Sequence, residues 1–411
     1  MTSIEKCDVV IVGAGAAGLM AAIWAGKTHP ERSIVVLDGA KKIGAKILVA
    51  GGGRCNVTHH QVDPKRYAGS SKSAISKVLR RFDVPETTQF FRQQGVVLKR
   101  EETGKLFPTT DSAKDVLDAL LKAAKEANVH IYNPRRVETI DRTSTGFLVG
   151  GPWGHVQCEQ LVLATGGKSL PKSGSDGKGF EFAQSFGHEV TRTFPALVPL
   201  TLPKDDLIRQ LSGITLPTTL RLHSSTGKHI IEFTNSTLCA HFGLSGPSVL
   251  DISRYYLDLK STDPGAYLSI NWLPDTVKED LDIDLQKLGH RSVRRYLQNC
   301  NLAERLVKML FTFCELEFDI LGDQLQRPQR RRLVQATTEM RLDISGNRGY
   351  TFAEVTAGGV PLSELFLEKM ESRCCPGLFL CGEICDVDGP IGGFNFQWAW
   401  ASGYVVGTSL K

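Results

Sequence analysis

Residues 9–18 read VVIVGAGAAG, and this stretch decides the fold of the chain. Its β-branched residues predict a buried strand, and the glycine-rich turn leads at once into an apolar helix. In such a strand–turn–helix unit, Gly13 permits the tight turn and Gly15 lets the backbone approach a pyrophosphate. Gly18 lets the helix pack closely on the sheet.

A second predicted strand, residues 33–37, ends at Asp38, about 20 residues after Gly18. A carboxylate at this position can accept hydrogen bonds from both ribose hydroxyls of an adenosine. Ala16 and Ala17 open the helix, so their N–H groups point toward the phosphates. The glycines and the carboxylate together predict an adenine dinucleotide, rather than a βαβ turn with chance glycines.

Residues 9–26 carry no charge and resemble a membrane span at first sight. The glycines weaken any continuous helix through this run, and its length is at the lower limit for crossing a bilayer. Glu5 and Asp8 stand where a signal peptide would carry positive charge. The sequence therefore predicts a cytoplasmic protein with no membrane segment.

The chain has 411 residues, of which 41% are hydrophobic and 23% are charged. This length exceeds one ordinary domain and predicts two or three. Forty glycines, several of them in adjacent pairs, indicate backbone that approaches a large ligand at several places. The ten cysteines lack the spacing of a zinc site or a redox pair, so reduced thiols and no metal are predicted.

The net charge is only +5, but positive charge is concentrated in residues 291–332. We define the arginine cluster as Arg327, Arg330, Arg331 and Arg332. Such a cluster could bind nucleic acid or an anionic substrate. No aromatic residues alternate with these arginines, so a solvated helix face is preferred and a small-molecule substrate is favoured over a nucleic-acid partner. The oligomeric state is left open.

Residues 41–58 contain several lysines, including Lys46, and then read GGGRCN from Gly51 to Asn56. This composition suits no regular element, so a long loop is predicted, with a fixed cation, a thiol and an amide at its end. A lysine-rich turn followed by GGGRCN resembles the HI0933-like family of NAD(P)/FAD-dependent flavoproteins. The resemblance implies that the dinucleotide is FAD. It also implies that the following residues lie near the flavin: Lys46, Gly53, Arg54, Cys55 and Asn56.

Two groups are candidate catalysts besides Arg54. A Cys55 thiolate could attack a substrate or donate electrons, but no partner thiol is local, so packing or flavin orientation is the preferred role. His241 begins the sequence HFGLSGP, which is similar to a family motif except that Ala240 replaces a threonine. This histidine could donate a proton, and a structural role is an equal alternative.

Further segments extend the resemblance over nearly the whole chain. The strand 160–163 ends in Ala-Thr-Gly-Gly, which is expected to return beside the first glycine loop. Gly382-Glu383 resembles a pair whose carboxylate meets a ribityl hydroxyl, and residues 392–395, GGFN, would place N–H groups near the flavin N1–C2=O edge. The resemblance thus adds these predicted cofactor residues: Val137, Thr165, Gly166, Gly382, Glu383, Gly393, Phe394 and Asn395.

The predicted fold is α/β, with a discontinuous Rossmann-like FAD-binding domain, an inserted β-barrel-like domain and a small helical domain. Their predicted ranges are, in that order, 1–193 with 345–411, 194–275 and 276–344. Helical periodicity predicts one helix from Ser73 to Gln94, which Gly95 ends. Asn301 and Glu304 predict a capping box.

No second GxGxxG unit follows residue 40, so NAD(P)H would bind in a more open way, as a transient electron donor. The predicted activity is an FAD-dependent oxidoreductase that transfers hydride at flavin N5. Its substrate would be a small organic molecule of the enone or amine class, with NAD(P)H or oxygen as the second substrate. Arg54 or His241 would stabilise or protonate that substrate. The alternatives are a flavin-containing protein that docks RNA on the arginine cluster and a non-catalytic flavin redox sensor.

Overall fold

The computed structural model describes residues 5–410 and divides the chain into two compact units. One unit comprises Met1–Pro195 with Glu354–Lys411, and the other comprises Ala196–Ala353. Each unit has its own hydrophobic core. The chain therefore leaves the first unit once and returns to it near its carboxyl end.

A parallel sheet forms the centre of the first unit. The first strand, Glu5–Val12, pairs in parallel with Ile34–Leu37 on one side and with Gly154–Leu163 on the other. His130–Tyr132 and Leu378–Leu380 extend the sheet outward, again in parallel. The middle of the first strand is fully buried, as expected for a central parallel strand. The predicted α/β, Rossmann-like fold is confirmed.

Short strands and helices surround this parallel core. The other strands of the first unit, including the one where the chain leaves it, are Thr58–His59, Ala68–Gly69, Leu98–Arg100, Lys105–Pro108, Thr139–Thr143, Gly146–Gly151, Phe194–Ala196, Val355–Ala357, Leu365–Phe366, Glu371–Ser372 and Val387–Asp388. Its helices are Ala16–Thr28, Ala45–Gly53, Lys72–Leu79, Val84–Gln93, Ala113–Glu126, Lys178–Ser185 and Phe394–Gly407.

The last helix packs directly against the first helix. Gly403 and Gly407 permit this approach, because a Cβ atom at these positions would lie 2.5 Å from the Ala17 carbonyl oxygen and 2.4 Å from that of Ala21. The carboxyl end of the chain therefore covers the helix that follows the first glycine loop.

An antiparallel sheet and a set of helices build the second unit. Its strands are Leu200–Thr201, Thr215–His223, His229–Ala240, Gly243–Ser245, Tyr267–Asn271, Met340–Leu342 and Gly346–Asn347. Its helices are Pro247–Thr262, Lys278–Gln286, Val293–Asn299, Glu304–Cys314 and Arg327–Thr338. Leu220 and Ile270 of the strands belong to the same buried cluster as Leu306 and Leu333 of the helices. The division of this unit into a barrel-like and a helical domain stays a prediction.

Two local predictions in the first unit are wrong. Residues 73–94 form two helices because Asp83 starts the second one, with its side chain and that of Glu86 capping each other's backbone N–H groups. The loop predicted over 41–58 contains the helix Ala45–Gly53, in which Ala50 and the two glycines that follow leave helical geometry. A short run of helix-forming residues before the glycines was enough to start this helix.

The capping box predicted at Asn301 is also wrong. The helix begins at Glu304, and its cap position is Ala303, which makes no side-chain hydrogen bond to the helix. Asn301 instead has a positive φ of 65°, a conformation that asparagine tolerates better than most residues. Asn301 thus belongs to the turn before the helix.

Two chain-wide features agree with the sequence. Among the described residues, no helix has the length and apolar character that crossing a membrane requires. All ten cysteines fall within the described part of the chain, and all are free thiols.

The contact between the first and last helices gives a test of the packing. We expect Gly403→Ala to lower the free energy of unfolding by about 1–3 kcal/mol, because the new methyl group would overlap the Ala17 carbonyl. Ser409→Ala, just after the same helix, should change it by no more than about 0.5 kcal/mol. Urea denaturation of the two variants measures the difference, and equal stabilities would contradict this packing.

Candidate flavin site

The carboxyl ends of three parallel strands bring the predicted motifs together. The Gly13 N–H donates to the Leu37 carbonyl at 2.8 Å, and the Ala164 N–H donates to the Val12 carbonyl at 2.9 Å. The glycine turn therefore lies between the ends of the two neighbouring strands. Ligands of open α/β sheets bind at this edge, where the strand order changes direction.

The three glycines of the first turn have different surroundings. Gly13 has φ +107°, and a Cβ there would lie 2.5 Å from the Ala164 carbonyl oxygen. A Cβ on Gly18 would lie 1.9 Å from the Gly13 carbonyl oxygen. A Cβ on Gly15, by contrast, would have no protein atom within 4 Å. Gly13 and Gly18 thus serve the packing of the protein itself, whereas the space beside Gly15 fits a pyrophosphate.

The amino end of the first helix supports the same placement. Gly15 occupies its cap position without a side-chain hydrogen bond, and its first turn, which includes Ala16 and Ala17, contains no acidic residue. N–H groups at such an end attract an anion because they lack partners within the helix. This arrangement fits the diphosphate of the predicted dinucleotide.

Asp38, the predicted ribose ligand, holds the glycine loop in place. One carboxylate oxygen accepts the Ala14 N–H and the other accepts the Ala40 N–H, each at 2.7 Å. A carboxylate oxygen has a second lone pair, so the half-buried side chain can still accept from a ribose. The Arg135 N–H donates to the Asp38 carbonyl at 2.7 Å, which brings the segment of Val137 alongside.

Thr165 and Gly166 follow the strand Gly154–Leu163 at the same edge. The Thr165 hydroxyl is buried and has no hydrogen-bond partner in the described part of the chain. Gly166 has φ +71°, and a Cβ there would lie 2.7 Å from the Ser175 hydroxyl oxygen. Gly166 therefore suits the turn, and the Thr165 hydroxyl lies against Gly179, where a Cβ would be 1.8 Å from its oxygen.

A polar network links Glu383 to three distant parts of the first unit. One carboxylate oxygen of Glu383 bonds the Lys46 ammonium group, and the other accepts the Thr356 N–H at 2.9 Å. The Thr356 hydroxyl accepts the Lys168 N–H at 2.7 Å. A Cβ on Gly382 would lie 2.7 Å from the Ala17 Cβ, so the network stands next to the first helix.

Arg54 is held by two carboxylates. Its Nη1 donates to Glu101 at 2.6 Å and lies 3.5 Å from an Asp111 oxygen, while the guanidinium stacks over Phe107 at 4.0 Å from the ring centre. Its positive charge is therefore largely compensated within the protein. Gly53, just before it, has φ +85° and leaves the arginine in a fixed turn.

Cys55 is fully buried in the hydrophobic core and has a positive φ of 58°. Burial raises the pKa of its thiol to about 12, so the thiol is protonated at neutral pH. A protonated thiol is a poor nucleophile. The surroundings therefore favour a packing role over covalent chemistry.

Asn56 joins this loop to the last helix. With its amide oriented to satisfy both neighbours, the side chain donates to the Thr58 carbonyl at 2.9 Å and accepts the Gly393 N–H at 3.0 Å. A Cβ on Gly393 would lie 2.5 Å from the Thr58 carbonyl carbon, so only glycine fits. Asn395 closes the adjacent turn, since its side chain exchanges hydrogen bonds with the Gly389 backbone at 2.8 and 2.9 Å.

The last helix also presents its amino end to the site. Gly393 is its cap residue, no side chain caps it, and its first turn has no acidic residue. Phe394 is fully buried, and its carbonyl accepts the Tyr67 hydroxyl at 2.8 Å. These contacts fix the N–H groups that were predicted to face the flavin N1–C2=O edge.

Sequence reasoning missed two charged residues near this helix end. The Lys105 Cε atom lies 3.7 Å from the point that a Cβ of Gly392 would occupy. Burial raises the pKa of Glu354, and the positive charges of Lys105 and Lys46 oppose that shift. Glu354 is nevertheless an exposed residue by its accessible surface. Its position directly before the sequence VTAGGV was the signal that could have identified it.

A family comparison decides the class of the protein. The sequence model of the HI0933-like protein Rossmann domain matches residues 7–409. The chain belongs to the HI0933-like family. It has the Rossmann-like FAD-binding fold of this family and is an FAD-dependent oxidoreductase.

Curated relatives match the HI0933-like chain over almost its full length. The ribosomal RNA dihydrouridine synthase of Escherichia coli is 35% identical, with 99% of this chain and 98% of that protein aligned. The 3-dehydro-bile acid delta(4,6)-reductase of Clostridium scindens is 31% identical, with 97% of each aligned. The Haemophilus influenzae ribosomal RNA dihydrouridine synthase is 32% identical, with 99% of each aligned.

Solved structures share the fold at low sequence identity. The 3-ketosteroid delta1-dehydrogenase of Sterolibacterium denitrificans is 12% identical and has a TM-score of 0.51, with 98% of this chain and 99% of that chain covered. A quinol-fumarate reductase is 14% identical and has a TM-score of 0.51, with 99% of this chain and 71% of that chain covered. These likenesses concern the fold alone.

The remaining candidates of the HI0933-like chain lie in the second unit. His241 is exposed, and its carbonyl accepts the Arg209 Nε–H at 2.7 Å. Its ring lies 5.2 Å from that of Phe242. The suggested role of His241 as a proton donor stays a prediction. In the arginine cluster, Arg330 pairs with Asp282 at 2.9 Å.

One group of side chains in residues 5–410 has the composition of a metal site. Ligand atoms of His188, Glu364 and Cys374 lie within 4.8 Å of one another. His188 Nδ1 is 2.6 Å from a Glu364 oxygen, and its Nε2 is 2.7 Å from the Ser372 hydroxyl. Hydrogen bonds therefore engage both ring nitrogens and account for the cluster without a metal.

The first glycine turn gives a paired test of FAD binding. Gly15→Ala should leave the apoprotein within about 0.5 kcal/mol of its normal stability but weaken FAD binding at least about tenfold, because its methyl group would fill the pyrophosphate space. Gly18→Ala should destabilise the apoprotein by about 1–3 kcal/mol, because its methyl group would overlap the Gly13 carbonyl. Calorimetric FAD titration and thermal unfolding measure the two effects. Normal FAD affinity in Gly15→Ala would contradict the placement.

Proposed function

We propose that this chain reduces a carbon–carbon double bond conjugated to a carbonyl group, and that its substrate is a uracil base in ribosomal RNA. The observation that carries this proposal is the shared chemistry of the three full-length relatives. Two are named for making dihydrouridine, in which the C5=C6 bond next to the C4 carbonyl of uracil is saturated. The third is named as a reductase of a 3-dehydro bile acid at delta(4,6), where the double bonds are conjugated to the 3-carbonyl.

The names of the three relatives and their identities to this chain also rank the alternative substrates and functions. The RNA-named relatives are 35% and 32% identical, whereas the bile-acid reductase is 31% identical. A steroid-like enone is therefore the second candidate substrate, and it keeps the same reaction type. None of these three names refers to amine oxidation or to a redox sensor, so neither alternative gains support from them.

Bound FAD would supply hydride chemistry at N5, after reduction by a donor that we propose to be NAD(P)H. The chain contributes the uncapped amino end of the last helix, where the N–H groups after Gly393 favour negative charge. The ammonium group of Lys105 adds a positive charge beside Gly392. These positively polarised groups support binding of the electron-rich ring of the reduced flavin. They also support binding of a substrate whose carbonyl becomes enolate-like during reduction.

An enolate-like carbon must also receive a proton, and we assign this role to Glu354. Its pKa is raised by burial, so its carboxyl group retains a proton closer to neutral pH than an ordinary glutamate does. Its side chain is accessible, as a group that meets a substrate must be. Arg54 is less suited, because Glu101 and Asp111 already bond its guanidinium.

The function can be tested with two substrates in parallel. The FAD-loaded protein is reduced anaerobically with NADPH or NADH and mixed with unmodified ribosomal RNA made by transcription, or with a 3-oxo-4,6-diene steroid acid. We expect dihydrouridine in the RNA, detected by mass spectrometry of the nucleosides. If only the steroid acid is reduced, the assignment of RNA as the substrate is overturned, and the proposed reduction of a conjugated enone still holds. If neither the RNA nor the steroid acid reoxidises the reduced flavin, the proposal is overturned.

The role of Glu354 gives a second test. Glu354→Gln should lower kcat for substrate reduction by about 10²–10⁴-fold, because the amide cannot deliver the proton. Flavin reduction by NAD(P)H, followed by stopped-flow absorbance, should remain within about threefold, since that half-reaction needs no proton at the substrate. Glu368→Gln, on an exposed glutamate of the same unit, is the matched control. Equal turnover in both variants would exclude Glu354 as the acid.

A further inference from the structure

One stretch of the first unit carries strong positive charge that the candidate flavin site does not use. Residues 64–82 contain no aspartate or glutamate. We define the basic strip as the cations of this stretch: Lys65, Arg66, Lys72, Lys77, Arg80 and Arg81. Such a density of one sign on a short segment favours an anionic partner.

Five cations of the basic strip are available to a partner. Their side chains are exposed, and none forms an ion pair with a carboxylate within residues 5–410; they are Lys65, Arg66, Lys77, Arg80 and Arg81. The two flanking carboxylates bond backbone groups and no cationic side chain of the strip, since Asp63 accepts the Lys65 backbone N–H at 2.8 Å and Asp83 accepts the Glu86 backbone N–H at 3.1 Å. The positive charge is thus largely uncompensated.

The arginine cluster of the second unit is different. Arg330 pairs with Asp282 at 2.9 Å, and Arg332 bonds Glu315 at 3.1 Å and the Phe313 carbonyl at 2.8 Å. Two of its four cations therefore serve contacts within the protein. The sequence drew attention to this cluster, but the basic strip is less neutralised.

The basic strip begins at the candidate flavin site. The Arg66 guanidinium lies 4.6 Å from the centre of the Phe394 ring, at the amino end of the last helix. The strand Ala68–Gly69 then pairs with Val387–Asp388, next to the GGFN turn. An Asp386 carboxylate oxygen lies 2.5 Å from where a Cβ of Gly69 would lie, and Asp388 pairs with Ala68 in the strand ladder. The strip is therefore anchored to the loop that leads into the site.

The strip then continues along a helix. Lys77 lies in the last turn of the helix Lys72–Leu79, Arg80 is the cap residue that ends it, and Arg81 follows directly. The helix Lys72–Leu79 has 8 residues and is thus about 12 Å long.

Helix stabilisation accounts for only part of this charge. Lys77 lies in the last turn, where a cation interacts favourably with the carbonyl end of the helix. Arg80 and Arg81 follow the last helical residue, and Lys65 and Arg66 belong to a separate short turn, Pro64–Arg66. Most of the strip therefore has no structural explanation within the helix.

We infer that the basic strip binds the ribose-phosphate backbone of RNA next to the nucleotide that enters the candidate flavin site. This inference rests on the proposed function and specifies the surface through which the protein holds its substrate. Lysine and arginine contacts to phosphates release bound counterions, so each contact makes affinity more dependent on salt. They position the RNA without reading its sequence.

The test compares two triple variants of the FAD-loaded protein. Lys77→Gln/Arg80→Gln/Arg81→Gln removes three charges of the basic strip. Arg295→Gln/Arg327→Gln/Arg331→Gln removes three exposed, unpaired arginines of the second unit and is the matched control. Fluorescence anisotropy with a labelled transcript of unmodified ribosomal RNA gives Kd at several salt concentrations.

We expect the strip variant to bind RNA about 10–100-fold more weakly at 0.1 M salt, and its salt slope to fall by about 2–3 units. The control should change Kd by less than about threefold. Binding of the strip variant at normal affinity, or an equal loss in the control, would overturn the inference.

Two further measurements separate this inference from the proposed function. FAD content and thermal unfolding should be the same in both variants, which shows that the strip variant remains folded. If the unaltered protein makes dihydrouridine and the strip variant does so with unchanged KM, only the inference fails. If the unaltered protein neither binds nor reduces the RNA, the proposed RNA substrate fails with it.

Discussion

The close approach of backbone to backbone around the first helix is the constraint on which the first unit depends. On one side, Gly18 touches the carbonyl of Gly13 within the turn. On the other side, Gly403 and Gly407 bring the last helix against the same element. Because no side chain separates these segments, the amino ends of two helices and the ends of the parallel strands meet in a small volume. That meeting creates the place for a long, polar cofactor.

The sequence predicted this arrangement well where the signal is local. The strand, the glycine turn and Asp38 all lie within about 30 residues, and each has a fixed spacing that the backbone of a βαβ unit demands. The GGGRCN and GGFN segments were found through the family resemblance, and the structure places them in contact through Asn56 and Gly393.

The rest of the candidate site depends on contacts between residues that are far apart in the chain. Nothing in the residues near Lys46 indicates that its ammonium group bonds Glu383, or that Glu101 and Asp111 hold Arg54. Cys55 drew attention as a reactive group, but only its three-dimensional surroundings reveal that it is buried and protonated. Counting charges likewise drew attention to the arginine cluster. A count cannot reveal that two of these arginines pair with Asp282 and Glu315 in the folded protein.

The bond between Asn56 and Gly393 also has a consequence for how the protein is made. The two residues lie near opposite ends of the chain, and a ribosome releases them far apart in time. The hydrogen bond between Asn56 and Gly393 requires the last helix, which packs against the first. The glycine loop can fold early, whereas the contact between the GGGRCN loop and the last helix has to wait until Gly393 has been synthesised. The two halves of the proposed flavin site are therefore joined later than the glycine turn is formed.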